Sequence, residues 1–320
     1  MFAGLTDRLF GVADGQWSMY RCEKCYSAFL DPRPTPESIG RAYANYYTHN
    51  KPNEVQEIGN IKNIMRSLMN HYINNNYGTR RENTNKLGQY LIPLIPPVRD
   101  KIDAKYRNIN LNQGTDRRLL DVGCGNGQYL LMAREAGWDV EGVDFDHEAI
   151  RICKDQGLNV HLGGLDILTE RVDYYDVITL SHVIEHVHEP DALLKKTYAL
   201  LKPGGMLWLS TPNIDSALSR IYKENWRGLE PPRHLVLFNY SSLLSILKNN
   251  KFNNIRQHYD MASAFIIVQS NAIKLHKNNI DKLNKIKDLS KLLLAFAACI
   301  ELYEWTKPRS REFLVISAVK

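Results

Sequence analysis

The chain has 320 residues and an ordinary globular composition, with 44% apolar and 24% charged residues and a formal net charge of +6. This mild charge, without an arginine-rich run, argues against nucleic acid as the main partner. The opening segment MFAGLTDRLFGVADGQ lacks the apolar core of a signal peptide. The longest uncharged apolar run, 292–300, has nine residues, whereas a membrane-spanning helix needs about 20. Because the five cysteines are scattered and form no disulfide framework, we expect a cytoplasmic protein.

Residues 1–50 are rich in loop formers, with prolines at positions 32, 34 and 36. Cys22 and Cys25 form a C-x-x-C pair that resembles the second half of a zinc ribbon. Residues 1–21 contain no cysteine for the first half, and two thiolates cannot complete a four-ligand zinc site. We therefore predict a degenerate ribbon without metal, unless His49 or another chain supplies ligands.

Residues 51–115 are predicted to form a helical cap, which is interrupted at Tyr77-Gly78 and by prolines at 93, 96 and 97. From Arg117 onward, short aliphatic runs alternate with helical stretches, which is typical of a doubly wound α/β domain. We assign this domain to residues 116–263 and 307–320, with its last strands in 251–262 and 311–320. A lysine-rich helical insert, 264–306, separates the two parts.

The sequence LLDVGCGNGQYLLMAREAG combines an aliphatic run, a glycine loop and a helix. Without side chains, backbone N–H groups at a helix N-terminus can approach a ligand closely. A dinucleotide-binding loop would have its third glycine at position 128, which is Gln128, but here it comes one residue earlier, at Gly127. This spacing resembles motif I of the class I S-adenosylmethionine-dependent methyltransferases. Motifs that resemble the later strands of that family follow in order up to residue 213.

The resemblance implies a seven-stranded, Rossmann-like sheet that binds S-adenosylmethionine at its carboxyl edge. Asp144 ends the second strand, where a carboxylate can accept hydrogen bonds from both ribose hydroxyls, and Phe145 can pack against the adenine. Asp166 stands where the family reads the adenine amino group. The remaining residues that we assign to the cofactor are Asp121, Gly123, Gly125, Asn126, Gly127, Ser181 and His182.

The stretch SHVIEHVHEP contains H-x-x-E-H, the signature of inverted zinc peptidases. Pro190 suits the first position of a helix, which leaves about two turns for residues 182–189, and no third zinc ligand is evident. The stretch also resembles the E-x-x-E-H element of ubiquinone-pathway O-methyltransferases, which is associated with a divalent cation, but His182 replaces the first glutamate. In a helix, His182, Glu185 and His186 would share one face. The alternative is that Glu185 caps backbone amides while His182 contacts the cofactor pocket, and we assign no metal.

A hydroxyl acceptor benefits from a base, and His186 and His234 are the two candidates. His234 lies in NWRGLEPPRHLVLFN, and its pair with Arg233 resembles the P-R-H element of methyltransferases from bacterial surface-polysaccharide pathways. We therefore place His234 first. Aromatic and cationic side chains nearby suit a sugar or phosphate, which makes Tyr222, Trp226, Arg227 and Arg233 the predicted substrate contacts. The alternative is a loop that is held by packing.

The resulting prediction is an S-adenosylmethionine-dependent O-methyltransferase that acts on a sugar hydroxyl in bacterial surface-polysaccharide biosynthesis, with a glycan, nucleotide sugar or other small molecule as acceptor. One alternative is a quinone-pathway, catechol-type O-methyltransferase, which a cation requirement would favour. Another is a non-catalytic cofactor-binding protein.

The insert carries six lysines and two aspartates between residues 271 and 291, next to an apolar run. Residues 271–306 are therefore a candidate for peripheral contact with the inner membrane. The alternatives are a solvated helix packed on its own domain and a dimer contact. The oligomeric state does not follow from the sequence.

Overall fold

The computed structural model describes residues 1–43, 60–110, 114–275 and 291–320. The chain divides into two compact units. The first contains residues 1–46, 181–195 and 209–317, and the second contains 47–180, 196–208 and 318–320. The domain boundaries predicted from the sequence differ from the boundaries of these two units, and they stay a prediction.

The first unit contains a small antiparallel sheet that the sequence analysis missed. Its strands are β1 (Phe2–Leu5), β2 (Trp17–Arg21), β3 (Ala28–Asp31) and β9 (Val236–Leu237), in the order β1-β2-β3-β9. Alternate residues face the core, so that Ala28 and Leu30 are buried while Phe29 is exposed. Strands of two to five residues are too short to show a clear alternation of apolar and polar residues. The sequence analysis therefore described residues 1–50 as rich in loop formers.

The predicted doubly wound sheet is confirmed. It has seven strands in the order β10-β11-β8-β7-β4-β5-β6. Their bounds are β4 (Arg118–Val122), β5 (Asp139–Asp144), β6 (Asn159–Leu162), β7 (Tyr175–Ser181), β8 (Leu201–Pro212), β10 (Asn253–His258) and β11 (Phe313–Val319). Strand β4 pairs in parallel with β5 on one side and β7 on the other, so the strand order reverses at β4. Ligands of open α/β sheets bind at such a switch point, beyond the carboxyl ends of the strands.

The sequences of the central strands explain their position. Leu119, Leu120 and Val122 in β4 are buried on both faces of the sheet, which is typical of parallel strands covered by helices. The helices of this region are α4 (Gln128–Glu135), α5 (His147–Asp155) and α6 (Pro190–Leu200). Helix α5 begins where the Asp146 carboxylate accepts the N–H groups of Glu148 and Ala149. Pro190 is the first residue of α6, as predicted.

The predicted helical region before the sheet contains α1 (Asn60–Tyr77), α2 (Gly88–Leu91) and α3 (Pro96–Lys105). Helix α1 ends at the predicted Tyr77-Gly78 break, where Gly78 has a φ of +76°. The hydroxyls of Tyr72 and Tyr77 both donate to the Asp103 carboxylate, at 3.0 and 2.6 Å, and these bonds join α1 to α3.

The remaining helices belong to the first unit. They are α7 (Ala217–Tyr222), α8 (Tyr240–Asn249), α9 (Ser263–Lys274) and α10 (Lys291–Thr306). Helices α9 and α10 lie at the two ends of the predicted insert, whose bounds stay a prediction, and residues 276–290 between them lie outside the described residues. Among the helices that the structure describes, each is too short or too polar to cross a bilayer.

Candidate functional site

The glycine loop of the second unit follows β4 and leads into α4. Gly123, Gly125 and Gly127 have φ angles of +72°, +52° and +76°, which side-chain-bearing residues adopt only with strain. A Cβ at Gly127 would also lie 2.5 Å from the Leu158 side chain and 2.8 Å from the Cys153 sulfur. The third glycine is therefore required both by the backbone angle and by the packing beneath the loop.

The Asp144 carboxylate is fixed at the end of β5. Its Oδ2 accepts the N–H of Gly125 at 2.8 Å, and its Oδ1 accepts the N–H of Asp146 at 2.9 Å. Burial raises the pKa of Asp144 against the opposing effect of these two amides. Each carboxylate oxygen has a further lone pair, so both can still accept a hydrogen bond from a ligand hydroxyl. This geometry fits the ribose role, which stays a prediction.

Asp121 lies at the end of β4 in a pairing that the sequence did not indicate. Its Oδ1 accepts from Arg107 at 2.5 Å and from the Thr179 hydroxyl at 2.7 Å, and the guanidinium lies 3.5 Å from the centre of the Tyr129 ring. Burial raises the pKa of Asp121, which Arg107 opposes. The second oxygen, Oδ2, is buried without a hydrogen-bond partner among the described residues. A buried acceptor of this kind calls for a donor, which a bound ligand or a water molecule can supply.

Phe145 and Asp166 are exposed members of the predicted cofactor set. The Phe145 side chain is 79% exposed, and its ring covers Gly164, where an added Cβ would lie 3.0 Å from the ring. The Asp166 carboxylate is 73% exposed and pairs with the Lys196 ammonium. The structure leaves both free to meet an adenine, and their roles stay predictions together with those of Asn126 and Ser181.

The segment after β7 is not the helix that a shared face of His182, Glu185 and His186 requires. His182 has a φ of +55°, and only Ile184–His186 forms a single 3-10 turn. The shared-face interpretation is therefore wrong, because the left-handed backbone at His182 prevents a helix from starting there. Instead, the Nδ1 of His182 and the Oε1 of Glu185 are 3.1 Å apart.

His186 and His234 come together within the first unit, with ring centroids 4.7 Å apart. The Nδ1 of His186 lies 3.0 Å from the Arg233 carbonyl oxygen and 3.0 Å from the Tyr43 hydroxyl. The Nδ1 of His234 lies 2.7 Å from the Gly228 carbonyl oxygen. Because a carbonyl only accepts, the contact with Gly228 places a proton on Nδ1 of His234. The contact with Arg233 favours the same tautomer of His186, whose neighbour Tyr43 can donate or accept. In this tautomer the Nε2 atom of each neutral ring is an acceptor.

Two buried carboxylates surround this pair. Burial acts to raise the pKa of Glu185, but the hydrogen bond from His182 and the nearby imidazoles outweigh it and lower the pKa to about 2. Burial also acts to raise the pKa of Glu230. The electrostatic effects of Arg227, His234 and Arg233 outweigh it and lower the pKa to about 2. Burial lowers the pKa of His234 to about 4, so this ring is neutral near pH 7 although the Glu230 carboxylate lies 3.7 Å from its Nε2.

Glu185, His186 and His234 are also the candidate metal ligands within the described parts of the chain. One ligand atom from each lies within 4.8 Å of the others. Two imidazoles and a carboxylate suit Zn²⁺ better than Mg²⁺, which prefers oxygen ligands. Both oxygens of Glu185 already accept hydrogen bonds, from His182 and from the Thr211 hydroxyl at 2.9 Å. A metal would have to share or displace these bonds.

The predicted substrate contacts correspond mainly to interior residues. Trp226 is 1% exposed, and its indole N–H donates to Glu312 at 2.6 Å. Arg233 is fully buried and donates to Asp7 at 2.5 Å and to Glu230 at 3.1 Å. The structure therefore corrects the substrate assignment of these two residues, because neither presents a surface to an acceptor.

The other two predicted contacts are partly accessible. Arg227 donates to Gln269 at 2.6 Å and pairs with Glu230, which leaves only 12% of its side chain exposed. Tyr222 ends α7, and burial raises the pKa of its hydroxyl. The contacts of Trp226, Arg227 and Arg233 fit the packing alternative, and the substrate roles of Tyr222 and Arg227 stay predictions.

The residues that support the histidine pair lie far from it in the sequence. Asp7 fixes Arg233 across 226 positions, and Tyr43 reaches His186 across 143. In the second unit, Arg107 lies 14 positions before the acid that it pairs with. No local motif marks Asp7 or Arg107, whereas Glu185 and Glu230 lie inside the two stretches already singled out.

Comparisons with known proteins agree with the motifs. A family model described as "Methyltransferase domain" matches residues 97–257, half of the chain. The ubiquinone biosynthesis O-methyltransferase of Bordetella avium is 35% identical over 104 residues, which are 30% of this chain and 43% of that protein. The corresponding protein of Coxiella burnetii strain Dugway 5J108-111 is 35% identical over 126 residues, which are 38% of this chain and 52% of that protein. The chain thus spans about half the length of the curated relatives that it matches.

A solved structure of a SAM-dependent methyltransferase from Archaeoglobus fulgidus covers 72% of this chain and 100% of its own, with 22% identity and a TM-score of 0.46. The two curated relatives above are named for ubiquinone biosynthesis, and neither name refers to polysaccharides. The resemblance to class I methyltransferases is confirmed: the chain belongs to the methyltransferase-domain family, and its cofactor is S-adenosylmethionine.

Proposed function

We propose that the chain is an O-methyltransferase that acts on a phenolic or catechol hydroxyl of a small molecule, in the manner of the quinone-pathway alternative. The carrying observation is the position of the His186 imidazole, whose Nδ1 lies 3.0 Å from the Arg233 carbonyl oxygen, which favours the tautomer with an accepting Nε2. The names of the curated relatives support this acceptor class. The sugar acceptor has less support, because the side chains expected to hold it are largely buried.

On the cofactor side, three structural features would bind S-adenosylmethionine. The glycine-loop amides would face the cofactor, Asp144 would accept hydrogen bonds from the ribose hydroxyls, and the Oδ2 of Asp121, which has no partner among the described residues, would suit a donor such as the α-ammonium. The bound cofactor supplies a methyl group on a sulfonium that is already electrophilic. The protein's remaining tasks are to position the acceptor oxygen and remove its proton.

The proton would pass from the acceptor hydroxyl to Nε2 of His186. A phenol has a pKa of about 10, whereas the pKa of an aliphatic hydroxyl is much higher. Because the pKa of a phenol is closer to that of an imidazole, a histidine is a suitable base for it. The imidazolium that forms keeps its Nδ1–H on the Arg233 carbonyl and is stabilised by the ionised Glu185 and Glu230. His234 has a pKa of about 4 and is a poor base near pH 7. We therefore propose His186 as the base and His234 as a residue that positions it, which reverses the order chosen from the sequence.

A divalent ion is the alternative means of activating the hydroxyl. It would be held by Glu185, His186 and His234, and it would lower the pKa of a coordinated hydroxyl. Because His182 replaces an acidic ligand and Glu185 is already bonded through both oxygens, we expect the reaction to proceed without a metal.

The test is incubation of the chain with methyl-labelled S-adenosylmethionine and a panel of catechols, phenols, nucleotide sugars and glycolipids. We expect label in a catechol or phenol, and loss of this transfer in His186→Ala. Label in a nucleotide sugar or glycolipid alone would restore the sugar prediction. Tight cofactor binding without transfer to any acceptor class would favour the non-catalytic alternative.

A further inference from the structure

Helix α10 in the first unit has one face in the core and one face in solvent. Its inner face, which includes Phe296, Ala297 and Ile300, packs into the hydrophobic core with Ile266 and Ile267 of α9. Its two glutamates do not point outward: Glu304 is fully buried, and the Glu301 carboxylate accepts the N–H of Ser263 at 2.9 Å. Both acidic groups of the helix are thus used inside the protein.

The outer face of α10 carries no charged side chain between residues 292 and 306. We define the outer face by six of its exposed members, Leu292, Leu294, Cys299, Leu302, Tyr303 and Trp305. Leu292 is 80% exposed, Leu302 65% and Trp305 53%. Single exposed apolar residues are normal, but a contiguous uncharged face on a helix of this length marks an interaction surface.

Basic residues flank the outer face at both ends. Lys291 begins α10, and Lys307 and Arg309 follow it, both exposed. Lys307 and Arg309 line an open hollow with Tyr240, Gln257, Pro308 and Ser310, next to the end of the helix that carries Tyr303 and Trp305. Aromatic rings beside cationic side chains are typical of proteins that lie at a membrane surface.

The charge pattern selects between a membrane and a second copy of the chain. If two outer faces paired, in either direction, one positive end would meet another, and like charges across an interface oppose association. An anionic bilayer offers the opposite charge along the whole helix, and its acyl region receives the leucines. We infer that the outer face of α10 binds an anionic membrane surface, with the helix lying in the plane of the headgroups. This surface is independent of the identity of the methyl acceptor.

The test uses the full chain and its tryptophans. Of the five tryptophans, only Trp305 is exposed, since the other four are at most 8% exposed, so a change in emission reports on α10. We expect vesicles of phosphatidylglycerol and phosphatidylcholine to shift the emission to the blue, and brominated acyl chains to quench it. Pure phosphatidylcholine and high salt should remove most of this response, because the attraction to the headgroups is electrostatic. Trp305→Phe should abolish the shift but not co-sedimentation.

The decisive variant is Leu292→Glu with Leu302→Glu, which should lower partitioning about tenfold or more, since charge replaces apolar burial. The matched control is Leu94→Glu, because Leu94 is 75% exposed in the 3-10 helix Ile92–Leu94 of the second unit. The control should bind vesicles as the unchanged chain does. If the double variant bound vesicles as strongly as the unchanged chain, the inference would be overturned, because basic residues alone would then account for membrane binding. A dimer in analytical ultracentrifugation that the double variant loses, without vesicle binding by the unchanged chain, would assign the face to self-association.

Discussion

The glycine loop and the histidine cluster present two different kinds of chemical group. In the glycine loop, the groups offered to a ligand are main-chain amides, set by three positive φ angles within five consecutive residues. In the histidine cluster, they are side chains from distant segments, held by buried charges on Asp7, Glu185, Glu230 and Arg233. The first arrangement is local and nearly independent of side-chain identity, whereas the second depends on every partner. We therefore expect single substitutions to separate binding from chemistry.

The largest expected effect is on turnover. His186→Ala removes the proposed base, so kcat should fall about 10²–10⁴-fold while calorimetry shows unchanged affinity for S-adenosylmethionine. The matched control is His188→Ala, since the His188 ring contacts the Pro34 carbonyl and lies outside the pair. Full activity in His186→Ala together with an inactive His234→Ala would return the base assignment to His234.

The next effect is on stability at acid pH. The folded-state pKa of His234 is about 4, compared with an unfolded value near 6.5, so the unfolded chain binds a proton that the folded chain does not. The free energy of unfolding should therefore fall by about 2–3 kcal/mol through this group as the pH drops from 6.5 to 4. Denaturant titrations of the original chain and His234→Gln across this window measure the difference. Parallel pH profiles for the two would contradict the burial of a neutral imidazole.

A smaller effect is expected on cofactor affinity. Asp144→Ala removes the paired acceptor at the end of β5, and it should weaken S-adenosylmethionine binding by about 1.5–3 kcal/mol, as is typical of charged hydrogen bonds. Turnover at saturating cofactor should change little. Asp155→Ala, at the exposed end of α5, is a suitable control for loss of a carboxylate. An unchanged dissociation constant in a folded Asp144→Ala would remove this residue from the site.

The smallest expected effect is that of metal removal. Turnover should survive exhaustive chelation, because the carboxylate in the candidate ligand set already accepts two hydrogen bonds. Activity measured before and after chelation, with Zn²⁺ and Mg²⁺ added back separately, is the check. Loss with chelator and recovery with one ion would make the histidine cluster a metal centre.

The two regions also differ in how far the sequence predicts them. The glycine loop, Asp144 and the strand order follow from a contiguous strand–loop–helix pattern, whose backbone requirements leave glycines at fixed spacing. The histidine cluster does not, because Trp226 and Arg233 are residue types that are rarely buried completely, arginine only when it is paired. Their burial depends on Glu312 and Asp7, each more than 80 positions away, and no local periodicity reports such pairs. The sequence predicted His186 and His234 as candidate bases. The tautomers depend on contacts with the carbonyls of Arg233 and Gly228, and the choice between the two bases depends on the burial of His234, and these appear only in the structure.

The short strand β9 has a consequence for engineering. It begins two residues after His234 and pairs with β3, so the first unit's N-terminal strands set the backbone that carries one histidine. Asp7, Ala42 and Tyr43 add side-chain and carbonyl contacts to Arg233 and His186. If His186 is the base, residues 1–43 therefore support the acceptor chemistry through these contacts. Under the proposed function, we expect a chain with a different N-terminal segment to keep its glycine loop and to lose the contacts that hold Arg233 and His186.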